Sequence, residues 1–257
     1  MTYCLGIAIE EGLIALSDGR ITSGTEVTQA KKQIILGPPG AQFIIMTSGL
    51  RSLRDKTVAY LRRAMREEQD EGYRSILDAV ASYARCLRVV MEEDREALET
   101  GQLSFNLHAI ICGQLPHDRE PAMFMIYPEG NWIEMEPRTP YFSIGATGYG
   151  KPILDRALTF DKPMRTALNL AYLSFDSTRF SASTVGFPVD ISIYLKREKI
   201  WRSTRYEYDD VREQREWWNS KLTELASHLP DGPWLTDLLL DKADHPELPR
   251  FSLVRDD

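Results

Sequence analysis

The chain has 257 residues, of which 43% are hydrophobic and 27% charged, and it carries a formal charge of -7. This balance fits a globular protein and not a fibrous or disordered one, and the negative charge argues against general affinity for nucleic acid. No apolar run approaches the roughly 20 residues a membrane span needs and no basic-then-apolar leader follows Met1, so a cytoplasmic location without a membrane partner is expected.

Residues 2–9 are β-favouring and largely apolar, Glu10-Glu11-Gly12 supplies a turn, and residues 13–16 resume, which predicts a hairpin. A second strand pair, residues 33–36 and 42–47, flanks the turn sequence Gly37-Pro38-Pro39-Gly40, and residues 21–30 before it read as a connecting loop. From about residue 50 to residue 98 apolar residues recur at helical spacing: Leu53, Val58 and Leu61, then Ile76, Val80, Tyr83 and Leu87. This predicts two amphipathic helices broken near Gly72. Strands return at residues 107–112, 123–127, 132–135 and 141–144; helical character follows over residues 149–176 with a boundary near Pro163, and residues 190–195 and 200–206 read as a closing strand pair. Without a regular βαβ repeat, this order predicts an antiparallel α+β fold.

Beyond residue 206, Asp209-Asp210-Val211-Arg212-Glu213 resembles a capping signal for a helix running to about His228. Trp217 and Trp218, with Val211, Leu222 and Leu225, read as an interface stripe or as packing within the subunit. The tail from Asp241 reads as frayed chain or a docking arm. Residues 1–206 are expected to form the principal domain, with residues 207–257 as a helix and tail of that domain or of its assembly interface.

Cys4, Cys86 and Cys112 lie too far apart for a disulfide framework or a CxxC site, and His108, His117, His228 and His245 show no metal-ligand spacing. The run Gly145-Ala146-Thr147-Gly148-Tyr149-Gly150 matches neither nucleotide-binding glycine pattern and reads as a strand-to-helix turn. No cofactor and no metal are expected.

Thr2 directly follows Met1, and its side chain is small enough for methionine removal to expose it. A free Thr2 would combine a hydroxyl nucleophile with an α-amine of reference pKa about 7.7–8.0, which can take the hydroxyl proton. Any chain beginning Met-Thr shares this feature, so its weight comes from what accompanies it. Ser17-Asp18-Gly19-Arg20 ends the second strand and Lys31-Lys32 opens the third. In these residues the chain resembles proteasome β-subunits, whose active centre joins an N-terminal Thr, an acid about sixteen positions on and a Lys about as far again. The matching residues are Thr2, Asp18 and Lys32, the last preferred to Lys31 for its place before the third strand.

Further blocks extend the likeness in order over nearly the first 190 residues: the opening Met-Thr-Tyr, Tyr127-Pro128-Glu129-Gly130-Asn131, the run from Tyr149-Gly150-Lys151-Pro152 to Arg156, and Ser174-Phe175-Asp176-Ser177-Thr178. On these the chain resembles the Anbu family of bacterial ancestral proteasome-type β-subunits. The resemblance implies a four-layer α/β/β/α sandwich of two antiparallel sheets, here with a C-terminal helical extension. It also implies a peptide or protein substrate and a large homo-oligomer, either a ring or an open helical assembly; no residue pattern assigns a regulatory ATPase. Gly49 matches the glycine whose N–H serves as oxyanion donor, though by itself it also fits a strand-ending turn. Asp176 would position the amine, with Ser181 or Thr184 as a nearby hydroxyl, while the same residues would also suit a helix cap or ST-turn.

One departure stands out, because Tyr149 occupies the place of a serine that assists the amine in peptidolytic subunits, and its ring carries the hydroxyl outward. The expected function is that of a proteasome-like threonine hydrolase of peptide or amide bonds. The alternatives are a catalytically weak scaffold on the same fold and a hydrolase of small amides.

Overall fold

The computed structural model of the protein describes residues 2–23, 25–67 and 72–238. Met1 and the tail from Asp241, for which sequence expectations were stated, lie outside the described residues. Contacts divide the chain into two compact units, one ending at Asp210 and one beginning at Val211.

The first unit is built on β1 (Tyr3–Ile9) and β2 (Gly12–Asp18), every residue of which is buried. With both faces covered, their sequence is apolar as far as Leu16 and does not alternate with polar residues, because strand alternation here divides side chains between two cores. Tyr3, Leu5, Ile7, Ile14 and Leu16 face helices, whereas Cys4, Ala8, Leu13 and Ala15 face a second sheet. The first sheet is completed by β10 (Tyr141–Gly145), β11 (Val189–Leu195) and β12 (Ile200–Tyr206), in the antiparallel order β10-β1-β2-β11-β12.

The second sheet runs β5-β6-β7-β8-β9, antiparallel throughout, from β5 (Gln33–Leu36), β6 (Phe43–Gly49), β7 (Leu107–Gly113), β8 (Ala122–Ile126) and β9 (Trp132–Glu134). Ile44, Met46, Ile110 and Met123 fill the layer between the sheets. On its outer face lie α1 (Arg51–Glu67) and α2 (Ile76–Thr100), whose Leu61, Val80, Tyr83 and Leu87 pack on Phe43, Ile45, Ile111 and Phe124. A capping box fixes the start of α2: the Ser75 hydroxyl accepts the Asp78 N–H, and the Asp78 carboxylate accepts that of Ser75. The first sheet is covered by α3 (Lys151–Ala157) and α4 (Met164–Ser181) through Leu154, Ala167, Ala171 and Phe175. Four layers result, helices–sheet–sheet–helices, with each fully buried Leu, Ile or Phe contributing roughly 1.5–3 kcal/mol of transfer free energy.

Two local expectations are corrected. Residues 21–30 are not a simple loop, for β3 (Arg20–Ser23) and β4 (Glu26–Gln29) pair as a separate hairpin with Ile21 opposite Thr28. Because β4 is exposed along its whole length, no burial pattern marks it in sequence. In the second unit, α5 (Arg212–Ser227) has Val211 at its N-cap without a side-chain cap. The Asp210 carboxylate instead accepts the Glu207 N–H. Trp217, Leu222 and Leu225 on α5 are exposed, and α6 (Pro233–Leu238) follows. Among the described residues no helix is long and apolar enough to cross a membrane.

Gly12 closes the first hairpin at φ 148°, where an added Cβ would lie 1.9 Å from the Tyr194 carbonyl oxygen. Gly40 also has positive φ, 85°, but open space around it. Gly12→Ala is therefore expected to cost about 2 kcal/mol or more in urea unfolding, and Gly40→Ala only about 1 kcal/mol. Equal costs would contradict the close approach.

Candidate active site

The chain ends of both sheets converge at one mouth of the sandwich. Residue 3 begins β1, Asp18 ends β2, Gly49 ends β6 and Gly145 ends β10, with Tyr3 opposite Gly145 in register. The peptide joining Thr2 to Tyr3 is held at both polar atoms: the Tyr3 N–H donates to Asp18 Oδ1 at 2.9 Å, and the Thr2 carbonyl accepts the Ala146 N–H at 2.8 Å. Gly145 lies against this peptide at φ 91°, and a Cβ there would stand 1.8 Å from the Thr2 carbonyl oxygen. Residue 2 is thus fixed by backbone geometry before its side chain is considered.

Asp18 Oδ1 also accepts Lys32 Nζ at 2.6 Å. The ion pair is buried, with Asp18 0% and Lys32 4% exposed, while the neighbouring Lys31 is exposed. Burial pushes the Asp18 carboxyl upward, and the Lys32 charge and the amides of Tyr3 and Gly186 oppose that push. Asp18 Oδ2 is buried without completing a hydrogen bond. Adjacent Gln33 ties β5 to the first sheet, its amide donating to the carbonyls of Ala15 and Asp190 at 3.0 and 2.8 Å, with Ser192 Oγ donating back to it. That anchor positions Lys32. Desolvating two charges brings little net stability, so a buried pair at a cleft is better explained by chemistry than by folding.

A cleft of about 240 Å³ opens beside the pair, lined by Thr2, Lys32, Thr47, Ser48 and Gly49. Gly49 has φ 136°, and a Cβ there would meet the Asn106 carbonyl oxygen at 1.7 Å, so only glycine fits. Ser48 shares the strand parity of Met46 and Ile44, facing between the sheets, and its Oγ would stand 3.2 Å from a Cβ on Gly145. Arg20, Arg51, Arg54 and Asn106 complete much of the wall.

The structure brings Thr2, Asp18, Lys32 and Gly49 together, whereas Asp176, Ser181 and Thr184 do not line this cleft. Asp176 is buried on α4 and accepts Arg179 Nε at 2.8 Å, and the Arg179 guanidinium stacks over Phe187 and Tyr208. Ser181 is exposed at the end of α4, and Thr184 Oγ1 is buried without a hydrogen bond. Tyr149 is 53% exposed and also absent from the lining. Beside it, Gly150 leaves room for Tyr3 and Ser174, whose hydroxyls hydrogen-bond to each other. Sequence reading gave no role to Arg20, Gln33, Ser48, Arg51 or Arg54, although Arg20 and Ser48 stood in the motifs Ser17-Asp18-Gly19-Arg20 and Thr47-Ser48-Gly49. Among the described residues no group of three or more His, Cys, Asp or Glu is arranged to hold a metal ion.

No protein-family model matches the chain, and no curated protein does. Solved structures do. A mutant of Anbu from Hyphomicrobium sp. strain MC1 matches at TM-score 0.81 and 30% identity, over 90% of this chain and 100% of that one. Anbu, an ancestral β-subunit, from Yersinia bercovieri matches at TM-score 0.81 and 28% identity, over 90% and 98%. The Anbu complex from Pseudomonas aeruginosa, solved as a helical assembly, matches at TM-score 0.82 and 32% identity, over 90% and 98%. Paired sheets between helical layers, matched at this level, make the architecture that of a proteasome-like β-subunit. Within that class the chain belongs to the Anbu family.

If Asp18 and Lys32 are buried as a pair, Lys32→Met strands a carboxylate and is expected to cost about 3–5 kcal/mol in urea unfolding. The double variant Asp18→Asn, Lys32→Met should cost clearly less, because the amide that replaces the carboxylate is neutral and its oxygen can still accept the Tyr3 N–H. A loss below about 1 kcal/mol for Lys32→Met would contradict the burial.

Proposed function

We propose that the chain is a proteasome-like threonine hydrolase of peptide or amide bonds that uses Thr2 once Met1 is removed. The observation that supports this most is the double role of Asp18 Oδ1, which accepts both Lys32 Nζ and the Tyr3 N–H and so ties the lysine to the residue after Thr2. In this reading Thr2 Oγ attacks the scissile carbonyl carbon and the Thr2 α-amine takes the Oγ proton. The Gly49 N–H donates to the oxyanion, a contact of a kind worth about 2.7–4 kcal/mol. The amine then returns its proton to the leaving nitrogen, leaving an acyl ester on Oγ that water hydrolyses with the amine again as base. Lys32 favours the neutral amine and stabilises developing charge at Oγ, and Asp18 orients it.

Asp176 has an ion partner in Arg179, so a role for it in positioning the amine draws less support than one for Ser48, which lines the cleft with Thr2. Tyr149 neither obstructs the cleft nor furnishes it with a hydroxyl. That supports slow turnover more than none, and it is what favours the second reading, a weakly active scaffold. We further propose self-assembly, as in the helical assembly of the Pseudomonas aeruginosa relative. Exposed Leu77 and Val89 on α2 and Phe180 on α4 supply apolar contact surface for it.

Turnover of peptidyl anilides and simple acylated amines, compared between the protein and Thr2→Ala, tests the reading. Thr2→Ala should lower the rate about a thousandfold or more at unchanged unfolding midpoint. Turnover confined to the acylated amines would favour a small-amide hydrolase, and equal rates in protein and variant would remove Thr2 as nucleophile.

A further inference from the structure

We infer that the cleft beside Thr2 selects an acidic side chain, Asp or Glu, in the residue on the acyl side of the bond to be cut. This rests on the hydrolase reading and adds a substrate class to it. Four cationic side chains line the cleft: Arg20 from β3, Lys32 before β5, and Arg51 and Arg54 from the first turn of α1. Among the described residues none of the lining side chains is acidic.

Two carboxylates, buried Asp18 and exposed Asp55, answer these four cations. Asp18 is committed to Lys32. Asp55 serves both arginines of α1, accepting Arg54 Nε and Nη2 at 2.8 and 2.6 Å and Arg51 Nε at 3.4 Å. Arg20 forms no ion pair among the described residues; its Nη1 donates to the Ser183 carbonyl at 2.8 Å, and its Nε is buried without a hydrogen bond. The cleft therefore holds two positive charges in excess, on a chain whose formal charge is -7.

The helix dipole does not account for this placement. Arg51 and Arg54 occupy the first turn of α1, where the helix dipole favours acids, and that turn contains none. A local rule broken at the mouth of a cleft points to a demand made by a ligand. Guanidinium groups meet that demand for a carboxylate, which they bind through paired, charge-assisted hydrogen bonds. Since the cleft contains Thr2 and Gly49 as well, the carboxylate it holds belongs to the group that becomes the acyl ester.

The test is kcat/KM for three fluorogenic peptide amides that differ only in the acyl-side residue, Glu, Ala or Lys, with Thr2→Ala as control. The Glu peptide should be cut about tenfold or more faster than the Ala peptide, and the Lys peptide more slowly than both. The Glu-to-Lys ratio should collapse in Arg54→Gln and, separately, in Arg51→Glu, which places an acid where the helix dipole favours one and so preserves folding. Thr2-dependent turnover at equal rates for all three peptides overturns the inference and leaves the hydrolase reading standing. Absence of Thr2-dependent turnover with every peptide overturns both.

Discussion

The buried contact between Asp18 and Lys32 is the constraint on which the site depends, because one carboxylate oxygen joins three separate pieces of chain. It takes the Lys32 ammonium from the segment entering β5 and the Tyr3 N–H at the start of β1, and it belongs to the last residue of β2. Any change in the register of β1 on β2, or in the seating of β5 against the first sheet, would break one of these bonds and leave a charge or an amide unpaired in a dry interior. Gln33 guards the same alignment from the next position, bonding to two carbonyls of the opposite sheet. The four layers thus hold two charges where little water screens them.

Glycine then gives the pair something to act on. At Gly145 and Gly49 the backbone passes so close to the Thr2 and Asn106 carbonyls that no side chain fits, and both have positive φ. These approaches keep the sandwich mouth narrow while leaving the cleft between them open to residue 2. The walls differ in chemistry: Thr2, Thr47 and Ser48 line the strand side, and Arg20, Arg51 and Arg54 line the hairpin and helix side.

Much of this was legible in the sequence, for identifiable reasons. Long helices and buried strands announced themselves through periodicity and apolar content, and Thr2, Asp18, Lys32 and Gly49 stood at strand ends that could be placed to within a residue or two. The hairpin of β3 and β4 was invisible because its second strand is exposed throughout, so no burial pattern distinguishes it from a polar loop. Asp210 looked like a helix cap because spacing cannot show that its carboxylate turns back to Glu207. Ser48 was hidden beside the quoted Gly49, since its orientation follows only from the parity of β6. Arg51 and Arg54 looked like ordinary surface residues of an amphipathic helix until packing brought the first turn of α1 to the cleft. The partnership of Asp176 with Arg179, three residues on, was readable from helical spacing; what sequence could not reveal was the stacking of Phe187 and Tyr208 on that guanidinium.

The central claim is that this geometry serves a free Thr2, whose amine and hydroxyl work as one catalytic unit. Intact-protein mass spectrometry of the purified chain, before and after incubation with a threonine-directed electrophile and with the adduct located by fragmentation, tests it most directly. The account predicts a chain lacking Met1 that gains a single adduct on Thr2. A chain that retains Met1 and gains no adduct would contradict it.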